Sequence, residues 1–284
     1  PAGFCGVYGL TPTYGLVSRY GLIDYANSLD KIGVMGNSLN DIKEGLLTIS
    51  GHDPKDQTSI TAPESSSKTV KRIGILKEGL DVDDEIKQQF LSVCDQLSIP
   101  TKQVSLPLTK KYGLATYYVL ALAEASTNLA KYCGMRYGAQ EPIKGGYNSH
   151  FSKIRTKHFN QESKRRLIIG TFVRQAGYRD KYYMQAQKVR TKIITEYQNL
   201  FKEIDVLVSP TTPLVAPTIE DIENMQPLQQ YMLDALTVGP NLAGLPHLNH
   251  PIGTQNGLPV GMLITSNHFN ESKLFKFSEG LAND

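Results

Sequence analysis

The stretch "KRIGILKEGLDVDDEIKQQFLSVCDQLSI", residues 71–99, sets the fold class. Its opening "KRIGILKEG" is a short apolar run bounded by charges and glycine, which predicts a buried strand. The continuation "DDEIKQQFLSVCDQLSI" predicts a helix whose acidic first turn complements the positive end of the helix dipole. Strand followed by helix is the signature of an α/β protein.

Further strands and helices flank this pair. Downstream, "DVLVSPTTP" (205–213) predicts a strand running into a rigid proline turn, and "LPVGMLITS" (258–266) another buried strand. Helices are expected over "TYYVLALAEASTNLAKYCG" (116–134), over "DKYYMQAQKVRTKIITEYQNLFKEI" (180–204) as one long element, and over "NESKLFKFSEGLAND" (270–284). Upstream, "NSLNDIKEGLLTISGHD" (37–53) reads as an amphipathic helix capped by Ser38 or Asn37, with Leu39, Ile42, Leu46 and Ile49 at helical spacing and Gly51 as its stop. The polar, proline-punctuated "HDPKDQTSITAPESSSKTV" (52–70) is a surface connection. Seven glycines fall within residues 1–36, a density that suits short strands, tight turns and close backbone approach.

Composition excludes several classes. The chain has 284 residues with 30 Lys and Arg against 27 Asp and Glu, so a net charge of +3 does not demand a nucleic acid or a membrane as partner. Nothing approaches an apolar run long enough to span a bilayer. Cys5, Cys94 and Cys133 suit neither a disulfide framework nor a zinc site, and are expected as small buried hydrophobes in a reducing compartment. The six histidines form no metal-ligand grouping, and no serine sits in a nucleophile elbow. Between Lys144 and Lys192 there are 13 Lys and Arg against 2 Asp and Glu. That lopsidedness reads either as a solvated helix face meeting an acidic partner or as a nucleic-acid footprint.

Charges in apolar surroundings are the informative residues. Arg165 and Arg166 precede "LIIGTF", and Asp234 lies inside "QYMLDALTVGPNLAGLP". A carboxylate among such neighbours must find a partner or shift its pKa. An arginine fork and a carboxylate converging on one pocket would suit the two charged ends of a free amino acid. The plainer alternative is an ion pair holding two helices.

Six separated blocks carry a family resemblance: residues 1–33, "GHDPKD" (51–56), "KRRLIIGTF" (164–172), "AGYRDKYYMQAQKVRT" (176–191), "VLVSPTTP" (206–213) and "NLAGLP" (241–246). In order and spacing they resemble the amidase signature family, and within it the A subunits of the glutamyl/aspartyl-tRNA amidotransferases. The resemblance implies a mixed β-sheet flanked by helices, with residues 1–284 forming the C-terminal portion of one such domain, truncated at its N-terminus. It places the catalytic lysine, bridging serine and nucleophilic serine before Pro1, so no catalytic residue maps onto this chain. For substrate it implies Arg166 on the α-carboxylate of glutamine, Asp234 on the α-ammonium, and Tyr117, with Tyr118 as the alternative, lining the pocket. The implied activity is a glutaminase that donates ammonia for tRNA-dependent amidation of Glu-tRNA or Asp-tRNA. Implied partners are two other subunits, one of which binds ATP and Mg²⁺ and most of the mischarged tRNA, in the cytoplasm or an organelle. This chain itself needs no cofactor. A free-standing small-amide amidase and a non-catalytic RNA-binding scaffold are the competing readings. Thr11, Leu16 and Val34 depart from the family pattern, which has lysine, arginine and proline at these places.

Overall fold

The apolar runs of the sequence become the strands of one sheet. The computed structural model describes residues 1–63 and 69–281. Within the polar connection read across 52–70, residues 64–68 lie outside the described residues, as do 282–284 of the terminal helix. The strands are β1 (Tyr8–Thr11), β2 (Val34–Gly36), β3 (Ile73–Leu76), β4 (Thr101–Val104), β5 (Val206–Pro210), β6 (His247–Gln255) and β7 (Leu258–Ser266). The helices are α1 (Ala2–Cys5), α2 (Leu39–Ile49), α3 (Asp84–Asp95), α4 (Pro107–Asn128), α5 (Tyr147–His158), α6 (Gln161–Arg174), α7 (Gln185–Leu200), α8 (Ile219–Asn224), α9 (Pro227–Met232), α10 (Val238–Leu242) and α11 (Glu271–Leu281).

These elements fall into two compact units. The first comprises Pro1–Gly21, Lys31–Leu114 and Arg190–Asp284, and the second Leu22–Asp30 and Ala115–Val189. The first holds the whole sheet, in the order β2-β1-β6-β7-β5-β3-β4. β3 pairs in parallel with both β4 and β5, while the other neighbours are antiparallel, so the sheet is mixed as the resemblance implied. A parallel pair needs a crossover, and α3 supplies it between β3 and β4. α3 is capped by the Asp83 carboxylate, which accepts from Glu85 N, and it buries Ile86, Phe90 and Cys94. β5 is buried along its whole length, and Val206 and Val208 join Ile73, Leu248, Met262 and Ile264 in the core.

Local chemistry accounts for several boundaries. Ser38 caps α2 in a reciprocal box with Asp41, and Ile42 and Leu46 are its buried face. β6 and β7 form a hairpin across Asn256 and Gly257, whose φ values of 52° and 79° match a two-residue turn with both residues left-handed. Val34 opens β2 opposite Leu10 and packs tightly against α2, since a Cβ on Gly45 would lie 2.7 Å from its Cγ1. Leu16 is buried with Val17 and Leu46 in the apolar core, so an apolar contact stands where the family pattern has a charge.

In the second unit, α6 crosses α4 so closely that a Cβ on Gly170 would fall 1.9 Å from Leu122 O. The segment Leu22–Asp30 is stitched to α4: Glu124 accepts from Ser28 N (2.9 Å) and Ser28 Oγ (2.6 Å), and Asn128 Nδ2 donates to Tyr25 O (3.0 Å). The helix expected over 180–204 is not uniform. It opens as a π-helical turn, Asp180–Met184, before α7.

The cysteine expectation holds at one site only. Cys94 is buried, and desolvation pushes its thiol up to about 12. Cys133 is partly buried, and Cys5 is exposed because α1 is a single turn that buries only Ala2 and Gly3.

Candidate functional site

Arg166 lies in the second turn of α6, a helix capped by Asn160 Oδ1 on Ser163 N (2.8 Å). It is half-buried rather than enclosed, because the apolar run after it is not a core: Ile168 and Phe172 are exposed. Its Nε donates to Glu162 Oε1 at 2.7 Å and its Nη1 to the Tyr25 hydroxyl at 2.7 Å. Burial of the guanidinium opposes its charge, but the bonds to Glu162 and Tyr25 more than offset this and raise its pKa. The Tyr25 phenol is raised as well, chiefly by desolvation, so it stays protonated at neutral pH. Two N–H groups of the fork are thereby fixed, and the rest are available to a ligand carboxylate.

Tyr117 stands in the same unit, on α4, half-buried with its ring edge-on to Tyr118 at a centroid distance of 5.2 Å. Asp234 belongs to the sheet-bearing unit and corrects the sequence picture. It is exposed, in the turn between α9 and α10, and its carbonyl accepts from Thr237 N (3.0 Å) and Val238 N (3.1 Å) to open α10. Its apolar sequence neighbours turn elsewhere, with Val238 buried and Met232 exposed, so no carboxylate is entombed.

The basic stretch is partly neutralised locally. Lys157 and His158 bond Glu141, whose carboxyl these hydrogen bonds pull down to about 2, and Arg165 pairs with Glu162. Lys153 and Lys157 on α5 face solvent, while His150 and Ile154 form its buried side. Among the described residues no metal-binding group of His, Cys, Asp and Glu occurs, and no helix is long and apolar enough to cross a membrane.

Two polar arrangements in the sheet-bearing unit escape sequence reasoning. In "NLAGLP" the carbonyls of consecutive residues are all engaged: Leu242 O by Arg190 Nε (2.9 Å), Ala243 O by His268 Nε2 (3.0 Å), Gly244 O by Tyr14 N (3.0 Å) and Leu245 O by Lys31 Nζ (3.0 Å). Desolvation lowers Lys31 to about 7, with Glu271 opposing and Arg190 reinforcing the shift. Burial and the Lys31 charge lower His247 to about 3, so it is neutral. The second arrangement is His250, whose Nδ1 stands 2.6 Å from Ser278 Oγ. This is a structural contact joining β6 to α11. Ser278 is wholly buried, and the contact is a pair of side chains with no acidic member to orient the imidazole as a base.

"GHDPKD" also finds a structural role. Asp53 Oδ2 accepts from Ser18 Oγ at 2.7 Å, and Asp56 Oδ2 accepts from Arg19 N at 2.7 Å. Burial would raise Asp56, but the hydrogen bonds from Arg19 and Thr58 and the Arg19 charge bring it down to about 2.

The sequence pattern of the family described as Amidase matches residues 1–275. The chain belongs to the amidase family. It is 44% identical over 97% of its length to the A subunit of the glutamyl-tRNA(Gln) amidotransferase of a Sulfurihydrogenibium species, and 43% identical over 98% to that of Archaeoglobus fulgidus. It spans 59% and 61% of those relatives, about three fifths of their length. The crystal structure of the corresponding Thermotoga maritima protein superimposes on the whole chain with a TM-score of 0.78 at 32% identity, and the chain covers 59% of it. A 6-aminohexanoate cyclic dimer hydrolase, at 18% identity and a TM-score of 0.74, shares the amidase fold alone; the chain covers 61% of it.

Proposed function

We propose that this chain is a large part of the A subunit of a tRNA-dependent amidotransferase, and that its task is to grip glutamine while the side-chain amide is hydrolysed. The observation that supports the reading is the Arg166 guanidinium, anchored at two points with its remaining donors available. Likeness to such A subunits over nearly the whole chain points the same way. In this reading Arg166 takes the α-carboxylate, Asp234 the α-ammonium, and Tyr117 or Tyr118 lines the pocket. The nucleophilic serine assigned to the region before Pro1 attacks the amide carbon. The C–N bond breaks, the proton relayed through the second serine and lysine leaves with ammonia, and water then cleaves the ester to give glutamate. Ammonia passes to a partner subunit, where ATP and Mg²⁺ serve to activate the carboxylate of Glu or Asp carried on tRNA. Two partner subunits and a cytoplasmic setting belong to this proposal, and this chain holds no cofactor of its own.

The test uses the full-length protein assembled with its partners. Arg166→Ala lowers glutamine-dependent kcat/KM by about 30-fold to several thousand-fold, the equivalent of about 2–5 kcal/mol for a truncated charge contact. Amidation driven by free ammonium stays near wild type, because ammonium enters without the glutamine grip. Asp234→Asn behaves in the same way. Equal loss of both reactions would assign these residues to the fold or the interface instead.

A further inference from the structure

We propose that Tyr25 is a positioning residue for Arg166: its hydroxyl fixes the plane of the guanidinium so that the donors left over meet an amino-acid carboxylate. This rests on the reading of Arg166 as the carboxylate-binding group. Glu162 is one turn away on the same helix, so its bond to Nε ties the side chain only to its own backbone. A single hydrogen bond leaves a planar group free to swivel about that contact. The second bond, from Nη1 to Tyr25, comes from a segment 141 residues away in sequence and removes the swivel.

Tyr25 is suited to this because its own backbone is held on both sides. Its N–H donates to Asp30 Oδ2 at 2.9 Å, and its carbonyl accepts from Asn128 Nδ2 at 3.0 Å. The next residue, Ala26, also donates to Asp30 (2.9 Å), and Ser28 is bound twice by Glu124. A rigid ring on a pinned backbone makes its hydroxyl a fixed post. The guanidinium carbon lies 5.7 Å from the centroid of the Tyr25 ring, at the outer reach of a cation–π contact, so the ring adds a weak attraction to the hydroxyl bond. Glu162 balances one positive charge, and the hydroxyl adds an anchor without adding a charge that would repel a carboxylate. A second acidic anchor would compete with the ligand for the same fork.

The experiment measures glutamine and ammonium kinetics of the complete complex carrying Tyr25→Phe, Arg166→Lys, Arg166→Ala and the Tyr25→Phe/Arg166→Lys pair. Tyr25→Phe keeps the ring and removes the post. Its KM for glutamine rises about tenfold with kcat within about twofold, the pattern of lost uniform binding, while ammonium-driven amidation is unchanged. In the Arg166→Lys background the same change adds nothing, because there is no fork left to orient. If Arg166→Ala raises KM and Tyr25→Phe does not, the positioning role is overturned while the carboxylate reading survives. If Arg166→Ala leaves glutamine kinetics intact, the carboxylate reading falls and the positioning role with it. Parallel loss of both reactions in Tyr25→Phe, with a lower melting temperature, would reduce Tyr25 to a structural clasp.

Discussion

Replacing Gly170 by alanine sets two effects of opposite sign against each other. In a helix interior alanine is favoured over glycine by about 1 kcal/mol. Against this, the new Cβ would sit 1.9 Å from Leu122 O and 2.6 Å from Leu122 C, where real Cβ atoms essentially never come within 3.0 Å. The obstacle is backbone, not a side-chain tip that could swing away, so α6 and α4 must part by about 1 Å. Overpacking of this kind costs about 1–3 kcal/mol, and a backbone obstacle puts the cost at the upper end. The net expectation is about 2 kcal/mol of destabilisation, or a fall in Tm of about 5 °C for a chain of this size. Arg166 lies one turn earlier on α6 and moves with it, so under the proposed function the glutamine KM of the complete complex rises too. Gly113 on α4 is the internal control. Its added Cβ would meet Thr109 Cγ2 at 3.5 Å, ordinary contact, so Gly113→Ala is neutral or stabilising. Thermal and urea unfolding followed by circular dichroism measures both variants. A Gly170→Ala protein as stable as wild type would refute the close helix crossing.

Two further predictions concern pH. Lys31 titrates near 7 when folded against 10.5 for an unperturbed lysine, so between these values the unfolded chain holds a proton that the folded one has released. Stability from this group therefore rises with pH from about 7 to 10, and Lys31→Met removes that slope from a Tm-versus-pH series; an unaltered slope would contradict the burial of its amine. Asp56 is displaced in the other sense, from 3.8 to about 2, so its contribution is present above about pH 4 and lost as pH falls toward 2. Asp56→Asn should flatten the acid limb of the stability curve, and an acid limb identical to wild type would place the transition elsewhere.

The sequence is most legible where local chemistry decides structure. Ser38 announces α2, the acidic Asp84 and Glu85 announce α3, and the apolar runs at 73–76 and 206–210 announce β3 and β5. β6 escapes such reading because "HLNHPIGTQ" is polar and contains proline. Several of its polar side chains find their partners far along the chain, as when Asn249 donates to Val7 O and accepts from Thr211 Oγ1. The Asn256-Gly257 turn is the signal that could have revealed it. In the candidate site, Arg166 stands out as a charge beside an apolar run. Tyr25 does not, because nothing local connects a tyrosine in a loop to a helix so far along the chain. Asp234 shows the converse error, since apolar neighbours in sequence did not become its neighbours in space.

The parallel pairing of β3 with β5 has a kinetic consequence. Everything from Lys77 to Asp205 must leave and return before these adjacent strands can meet, and most of the second unit lies inside that excursion. Closing a loose loop of this length carries a large entropy cost, which shrinks if the excursion has already collapsed into helices with its ends drawn together. The chain path therefore favours an order of assembly in which the helical insertion forms ahead of the β3–β5 pair. Substitutions that loosen the insertion act as brakes on sheet formation, slowing refolding more than they hasten unfolding.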